Sequence, residues 1–127
     1  MVMARALVLF AHGARDPRWA APFQRLQQIL QAKLPEVNVS LAFLELMKPT
    51  LPELLPQLME AGCNDVTVVP VFFGQGGHVL RDLPALAAQL RQEHSGLNLK
   101  VAMAVGENED VLNAIAQYCI ESLDREG

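Results

Sequence analysis

The chain has 127 residues, 51% of them hydrophobic and 19% charged, with a formal net charge of −4 and a pI near 5.3. This length is expected to form one domain, residues 1–127, with a core of its own, and the composition excludes a disordered or low-complexity chain. The acidic balance argues against a nucleic-acid surface, although a local cluster of arginines can still meet a small anion.

The first apolar run, residues 5–11, ends at His12. It is too short for a membrane span and lacks a signal peptide's cleavage region, so the cytoplasm is the expected compartment. Asp16-Pro17 has the form of a helix start, and Phe23, Leu26, Leu30 and Leu34 follow at helical spacing until Pro35. A second run, 37–46, begins by alternating, with Val37, Val39, Leu41 and Phe43 opposite Asn38 and Ser40. Thr50-Leu51-Pro52-Glu53 then has the spacing of a capping box, and Leu51, Leu54, Leu55, Leu58 and Met59 form a helical stripe ending near Gly62. Pro56 interrupts that stripe and predicts a kink or a late helix start.

The third run, 66–73, is apolar apart from Thr67 and leads into Gly74-Gln75-Gly76-Gly77-His78. A helix is expected from about Asp82, with Leu83, Leu86 and Leu90 on one face. The fourth run, 97–105, alternates again, and Leu112, Ile115, Cys119 and Leu123 mark a last helix. Strand-then-helix units of this kind predict an α/β fold with one open, mainly parallel four-stranded sheet and helices on both faces. Continuous apolar strands sit centrally and alternating ones at edges, which gives the order 2-1-3-4, against which Pro70 counts as a missing ladder donor.

In such a sheet, ligands bind beyond the carboxyl ends of the strands where the winding reverses, here between the first and third strands. His12 ends the first strand and His78 lies in the loop after the third, each beside glycine. A single strand-end histidine is most simply a loop anchor, whereas two converging on the switch point read as metal ligands or proton acceptors. Glu45, ending the second strand, falls on the same rim, either as a solvated carboxylate or as a partner of the two histidines. Arg15, Arg18 and Arg81 are placed beside the histidine loops, where they are solvated helix-start residues or contacts for a polyanion. His94 reads as a surface residue near a helix C-terminus. The glycine loop lacks the lysine and hydroxyl of a nucleotide cradle, and no Gly-x-Ser-x-Gly elbow appears. Cys63 and Cys119 match no disulfide scaffold or zinc motif and read as buried or half-buried thiols in a reducing compartment.

Three segments carry a family resemblance. Residues 7–17, Leu-Val-Leu-Phe-Ala-His-Gly-Ala-Arg-Asp-Pro, resemble the opening of the class II tetrapyrrole chelatases. Phe43-Leu44-Glu45 with Pro49 resembles their second-strand segment. Val69-Pro70-Val71-Phe72-Phe73, followed by Gly76-Gly77-His78-Val79 and Asp82-Leu83-Pro84, resembles their second histidine motif. The likeness extends to about Val105 and is nearest to the small single-domain sirohydrochlorin type, departing from it at Ala14, where many members carry serine.

That resemblance implies insertion of a divalent metal, Co²⁺ or else Ni²⁺ or Fe²⁺, into a modified tetrapyrrole without ATP and without a permanently bound cofactor. It implies that His12 is metal ligand and proton acceptor and His78 the second ligand. It also implies that Glu45, Phe73, Gly74, Gln75, Gly76, Gly77 and His78 line the substrate site. Longer members have two facing lobes, so a chain of this length is expected to act as a homodimer with the cleft between subunits. Two rival readings are a histidine phosphatase, which would need an arginine where Ala11 stands, and a non-catalytic metal or tetrapyrrole carrier.

Overall fold

The computed structural model describes residues 4–73 and 77–125, and of residues 77–81 the backbone alone. Strands β1 (Ala4–Ala11), β2 (Val37–Phe43), β3 (Cys63–Pro70) and β4 (Asn98–Val101) alternate with helices α1 (Ala21–Lys33), α2 (Leu51–Glu60), α3 (Gly77–Glu93) and α4 (Glu109–Ser122). Short 3-10 turns, Pro17–Ala20 and Val105–Glu107, lead into α1 and α4. The strands pair in parallel in the order β2-β1-β3-β4, as the apolar patterns predict.

The two faces of the sheet are built differently. On one, Val8 and Phe10 of β1, Val66 and Val68 of β3 and Leu99 of β4 are buried beneath Leu51, Leu54, Leu55 and Leu58 of α2 and Leu83, Ala87 and Leu90 of α3. On the other, Ala11 and Phe43 pack with Ala20, Trp19 and Phe23 at the start of α1. That second cluster covers β2 and β1 only. Strands β1 and β3 have neighbours on both sides, and β1 is buried over most of its length, which is why its sequence reads as a continuous apolar run, whereas β3 alternates between buried and half-buried residues.

Helix side chains close both edges of the sheet. Gln31 of α1 donates to the Val37 carbonyl at 2.7 Å and accepts from Val39 N–H at 3.0 Å, and Gln27 donates to the Val39 carbonyl at 2.8 Å. On the far edge Arg91 of α3 donates twice to the Leu99 carbonyl, at 2.9 and 3.1 Å. Backbone groups that would otherwise invite a further strand are thereby occupied.

Several expectations need correction. Strand β2 stops at Phe43 and β4 at Val101, because their runs turn over the rim. Helix α3 opens at Gly77, ahead of Asp82, and carries Pro84 within it. Helix α2 has no late start: Thr50 N–H donates to the Glu53 carboxylate at 2.9 Å, so the helix begins at Leu51 and runs past Pro56. Pro56 is exposed, so water can serve the carbonyl one turn back that its missing N–H leaves free.

Pro70 fits for a related reason. Ala102 N–H donates to the Val68 carbonyl while Val71 N–H donates to the Phe10 carbonyl, so the even-numbered residues of β3 turn toward β4. Pro70 is the next of these, beyond the end of β4, where a donor has no strand to meet. Cys63 is buried at the start of β3, whereas Cys119 is exposed rather than covered. His94 follows α3 and is half-buried, its N–H donating to the Leu90 carbonyl.

Candidate functional site

The carboxyl ends of β1 and β3 meet where the winding of the sheet reverses, and His12 leaves β1 at that point. The imidazole is half-buried and lies against the ring of Phe72, with centroids 4.7 Å apart and planes inclined at 44°. Phe72 is itself buried in the main core and meets Phe10 edge-on at 6.3 Å. An aromatic anchored in the core thus fixes the plane of the histidine ring and shields one side of it.

Backbone contacts hold the neighbouring loops against His12. Leu44 N–H donates to the Ala11 carbonyl at 2.8 Å and Glu45 N–H to the His12 carbonyl at 3.1 Å, which extends the β1–β2 pairing beyond the strands themselves. Glu45 therefore stands beside His12, its side chain exposed. Gly13 has φ +92°, and a Cβ there would run into the Glu45 carbonyl, so this junction admits only glycine. On the β3 side, Gly106 N–H donates to the Phe72 carbonyl at 3.2 Å, and a Cβ on Gly106 would collide with the Phe73 backbone. Two glycines allow two loops to close on the histidine from opposite flanks.

Phe73 is 64% exposed, and Leu46 and Met103 each 58% exposed, on loops that follow β3, β2 and β4 at this same end of the sheet. Large apolar side chains left open here leave the rim greasy as well as polar, which suits a broad aromatic ligand. Of the residues singled out in the sequence, the structure brings His12, Glu45 and Phe73 to one end. Gly74, Gln75 and Gly76 lie outside the described residues. Gly77 and His78 open α3, and the His78 side chain lies outside the description too. Among the described residues no group of three or more His, Cys, Asp or Glu could hold a metal ion.

Arg18 takes the helix-start position, one of its two readings. Its guanidinium grips Asp16 through bonds of 2.7 to 3.1 Å, and this pairing holds the Asp16 carboxyl below its ordinary range and raises the guanidinium. Asp16 also accepts from Arg18 N–H at 2.9 Å, so the pair shapes the turn into α1. Arg15 is exposed, and the Arg81 side chain lies outside the described residues. Sequence reasoning missed Phe72 and Gly106, because neither carries a local signal: each acts on a partner distant in the chain. Leu46 and Met103 continue the apolar runs of β2 and β4 in the sequence, and only the early ends of those strands put them on the rim.

A doubly wound α/β protein with a histidine seated on an aromatic at its switch point, and with glycine-closed loops around it, is the class this fold and rim define. The model of the CbiX family matches residues 6–122, and the chain belongs to that family. The sirohydrochlorin cobaltochelatase of Saccharolobus islandicus (strain L.S.2.15 / Lassen #1) is 36% identical over 125 residues, covering 94% of this chain and 96% of that protein. The chain spans a smaller share, 62%, 57% and 56%, of three longer relatives of the same name. Among solved structures, the CbiX protein of Marinobacter aquaeolei VT8 superposes with a TM-score of 0.84 at 30% identity, over 96% of this chain and 99% of that one. The sirohydrochlorin chelatase SirB of Bacillus subtilis subspecies spizizenii, solved in complex with cobalt, has the same fold at a TM-score of 0.77 and 20% identity, but this chain covers only 51% of it.

Proposed function

We propose that this chain is a chelatase that inserts a divalent metal, Co²⁺ first and Ni²⁺ or Fe²⁺ as alternatives, into sirohydrochlorin. The observation that carries the reading is His12: a half-buried imidazole at the switch point, its plane fixed by Phe72, beside an apolar rim and an exposed carboxylate. Insertion requires a loosely held metal, removal of two pyrrole N–H protons, and a macrocycle held close to the ligand. A neutral imidazole meets the first two needs, since it binds borderline metals and accepts protons near neutral pH.

In this reading His12 takes the metal substrate and a pyrrole proton, with His78 as the second ligand. Two imidazoles leave coordination positions open for the incoming nitrogens, where a complete protein cage would retain the ion. Glu45, beside His12, passes protons to solvent or steers the cation. Phe73 and the residues 74–78 line the macrocycle, with Leu46 and Met103 widening the apolar surface. The reaction uses no ATP and no permanently bound cofactor, and it serves tetrapyrrole biosynthesis of the cobalamin or sirohaem kind in the cytoplasm. No helix among the described residues is long and apolar enough to cross a membrane.

The chain is one lobe, and two copies enclose the cleft as a homodimer. The match to half of the SirB chain is consistent with this reading, since two copies of this fold would span it. The test is visible absorbance of sirohydrochlorin mixed with each metal in turn. Conversion well above the protein-free rate with Co²⁺ is expected, and conversion no faster than without protein, for all three metals, contradicts the reading.

A further inference from the structure

The closure of the β2 edge has one gap. Leu44 N–H donates to the Ala11 carbonyl, so the even-numbered residues of β2 turn their backbone groups toward β1. The odd-numbered ones turn outward. Val37 and Val39 meet Gln31 and Gln27 there, and Phe43 N–H donates to the Pro49 carbonyl at 2.9 Å. Leu41 lies between them in the same alternation, and among the described residues nothing bonds its outward N–H and C=O.

At that point the surface opens into a cavity of about 340 Å³ between α1 and α2, on the side of β2 away from β1. Leu41, Phe43 and Leu54 supply apolar walls, and Lys48 and Pro49 stand at the end nearest the carboxyl terminus of β2. The edge from Val39 to Phe43 spans about 13 Å, room for about two or three extended residues.

We propose that this cavity binds the carboxyl-terminal residues of an extended peptide, laid parallel to β2 and ending at Lys48. The site is separate from the chemistry of His12 and does not depend on it. Three observations select the ligand and its direction. First, an outward N–H and C=O on one residue, with closed positions on either side, complement a short stretch of extended backbone. One ligand carbonyl accepts from Leu41 N–H, and the N–H two residues later donates to Leu41 C=O, as in a parallel ladder. Second, Pro49 and Thr50 already hold the place of a fifth strand, since Thr50 pairs in parallel with Phe43. A ligand running parallel to β2 meets Pro49 just past Leu41 and has to end there. Third, that end carries a cation. Lys48 is exposed and makes no salt bridge among the described residues, and the Glu53 carboxylate, which it also favours, is held by Thr50 instead. A terminal carboxylate suits this position, whereas the terminal amine that the opposite direction would bring is repelled.

Heteronuclear NMR on the isotope-labelled full chain tests the site, with acetyl-Ala-Leu-Ala bearing a free carboxylate as the probe. The Leu41 amide resonance is expected to move saturably with peptide in the millimolar range. The same peptide ending in a carboxamide is expected to bind about tenfold or more weakly, and so is the carboxylate peptide to Lys48→Met. Lys48→Arg is expected to retain most of the affinity, and Lys33→Met, at the end of α1, to change nothing. Acetate alone is expected to leave the Leu41 resonance in place. Absence of saturable movement at Leu41 overturns the proposal, as does equal binding of the carboxamide, undiminished binding to folded Lys48→Met, or an equal response to acetate.

Discussion

The two faces of the sheet show how one fold divides its labour. Under α2 and α3 every layer is filled: Val8, Leu51, Leu55, Val66 and Val68 are fully buried, and helix stripes meet strand side chains along β1, β3 and β4. On the α1 side a small cluster guards β2 and β1, α1 has no buried residue, and among the described residues Thr67 and Val69 of β3 are only half-buried and Lys100 of β4 is exposed. The first face supplies the stability of the chain. The second is where the chain can meet other molecules without loss of its core, and the rim that carries His12 lies at the end of the two central strands.

That contrast can be broken most directly from the filled side. Leu55→Ala removes a side chain with no room to relax and is expected to cost about 2–5 kcal/mol in a urea titration, whereas Ile29→Ala on α1 stays within about 0.5 kcal/mol of wild type. Equal losses at the two positions would erase the distinction between the faces. Gly13→Ala tests whether the rim is a rigid part of the fold. The positive φ and the Glu45 carbonyl predict a loss of about 1–3 kcal/mol together with loss of metal insertion. A fully stable and active Gly13→Ala protein would show that the loop does not need to close on His12.

Smaller effects sharpen the local chemistry. Thr50→Ala is expected to cost about 1 kcal/mol, as loss of the cap that starts α2. Hydrogen bonds from Thr50 hold the Glu53 carboxyl below its ordinary value of 4.5, backbone N–H first. A carboxyl with a lowered folded value contributes stability above its unfolded value and loses it as pH falls through the folded one. The stability difference between wild type and Glu53→Gln is therefore expected at neutral pH and should vanish as the solution is taken below that range. A difference that persists unchanged into acid would assign it to something other than the charged cap.

Much of this was readable in the residues, and the exceptions have physical causes. The continuous runs of β1 and β3 against the alternating β2 and β4 were enough to order the sheet, although only β1 is buried on both faces. Strand β3 alternates between buried and half-buried residues and reads as continuous because Val69 and Val71 are apolar on its less covered face. Strand ends were less readable. Residues 44–46 and 102–105 are as apolar as the strands before them, yet they pass over the rim, where Leu46 adopts φ 68° and Ala104 returns to the core. Prolines misled in proportion to what they usually break: Pro70 falls past the end of its neighbour strand and Pro56 on a solvated side of its helix. His12 was legible as a strand-end residue beside glycine. The Phe72 ring that orients it was not, since that contact spans β1 and β3 and leaves no local pattern.

The central claim concerns His12, and one variant addresses it. His12→Ala removes a half-buried side chain at a strand end, so its urea midpoint is expected to stay near that of wild type. Sirohydrochlorin absorbance followed with Co²⁺ should then show conversion reduced to the protein-free rate while the chain remains folded. Near-wild-type insertion by folded His12→Ala protein would contradict the account.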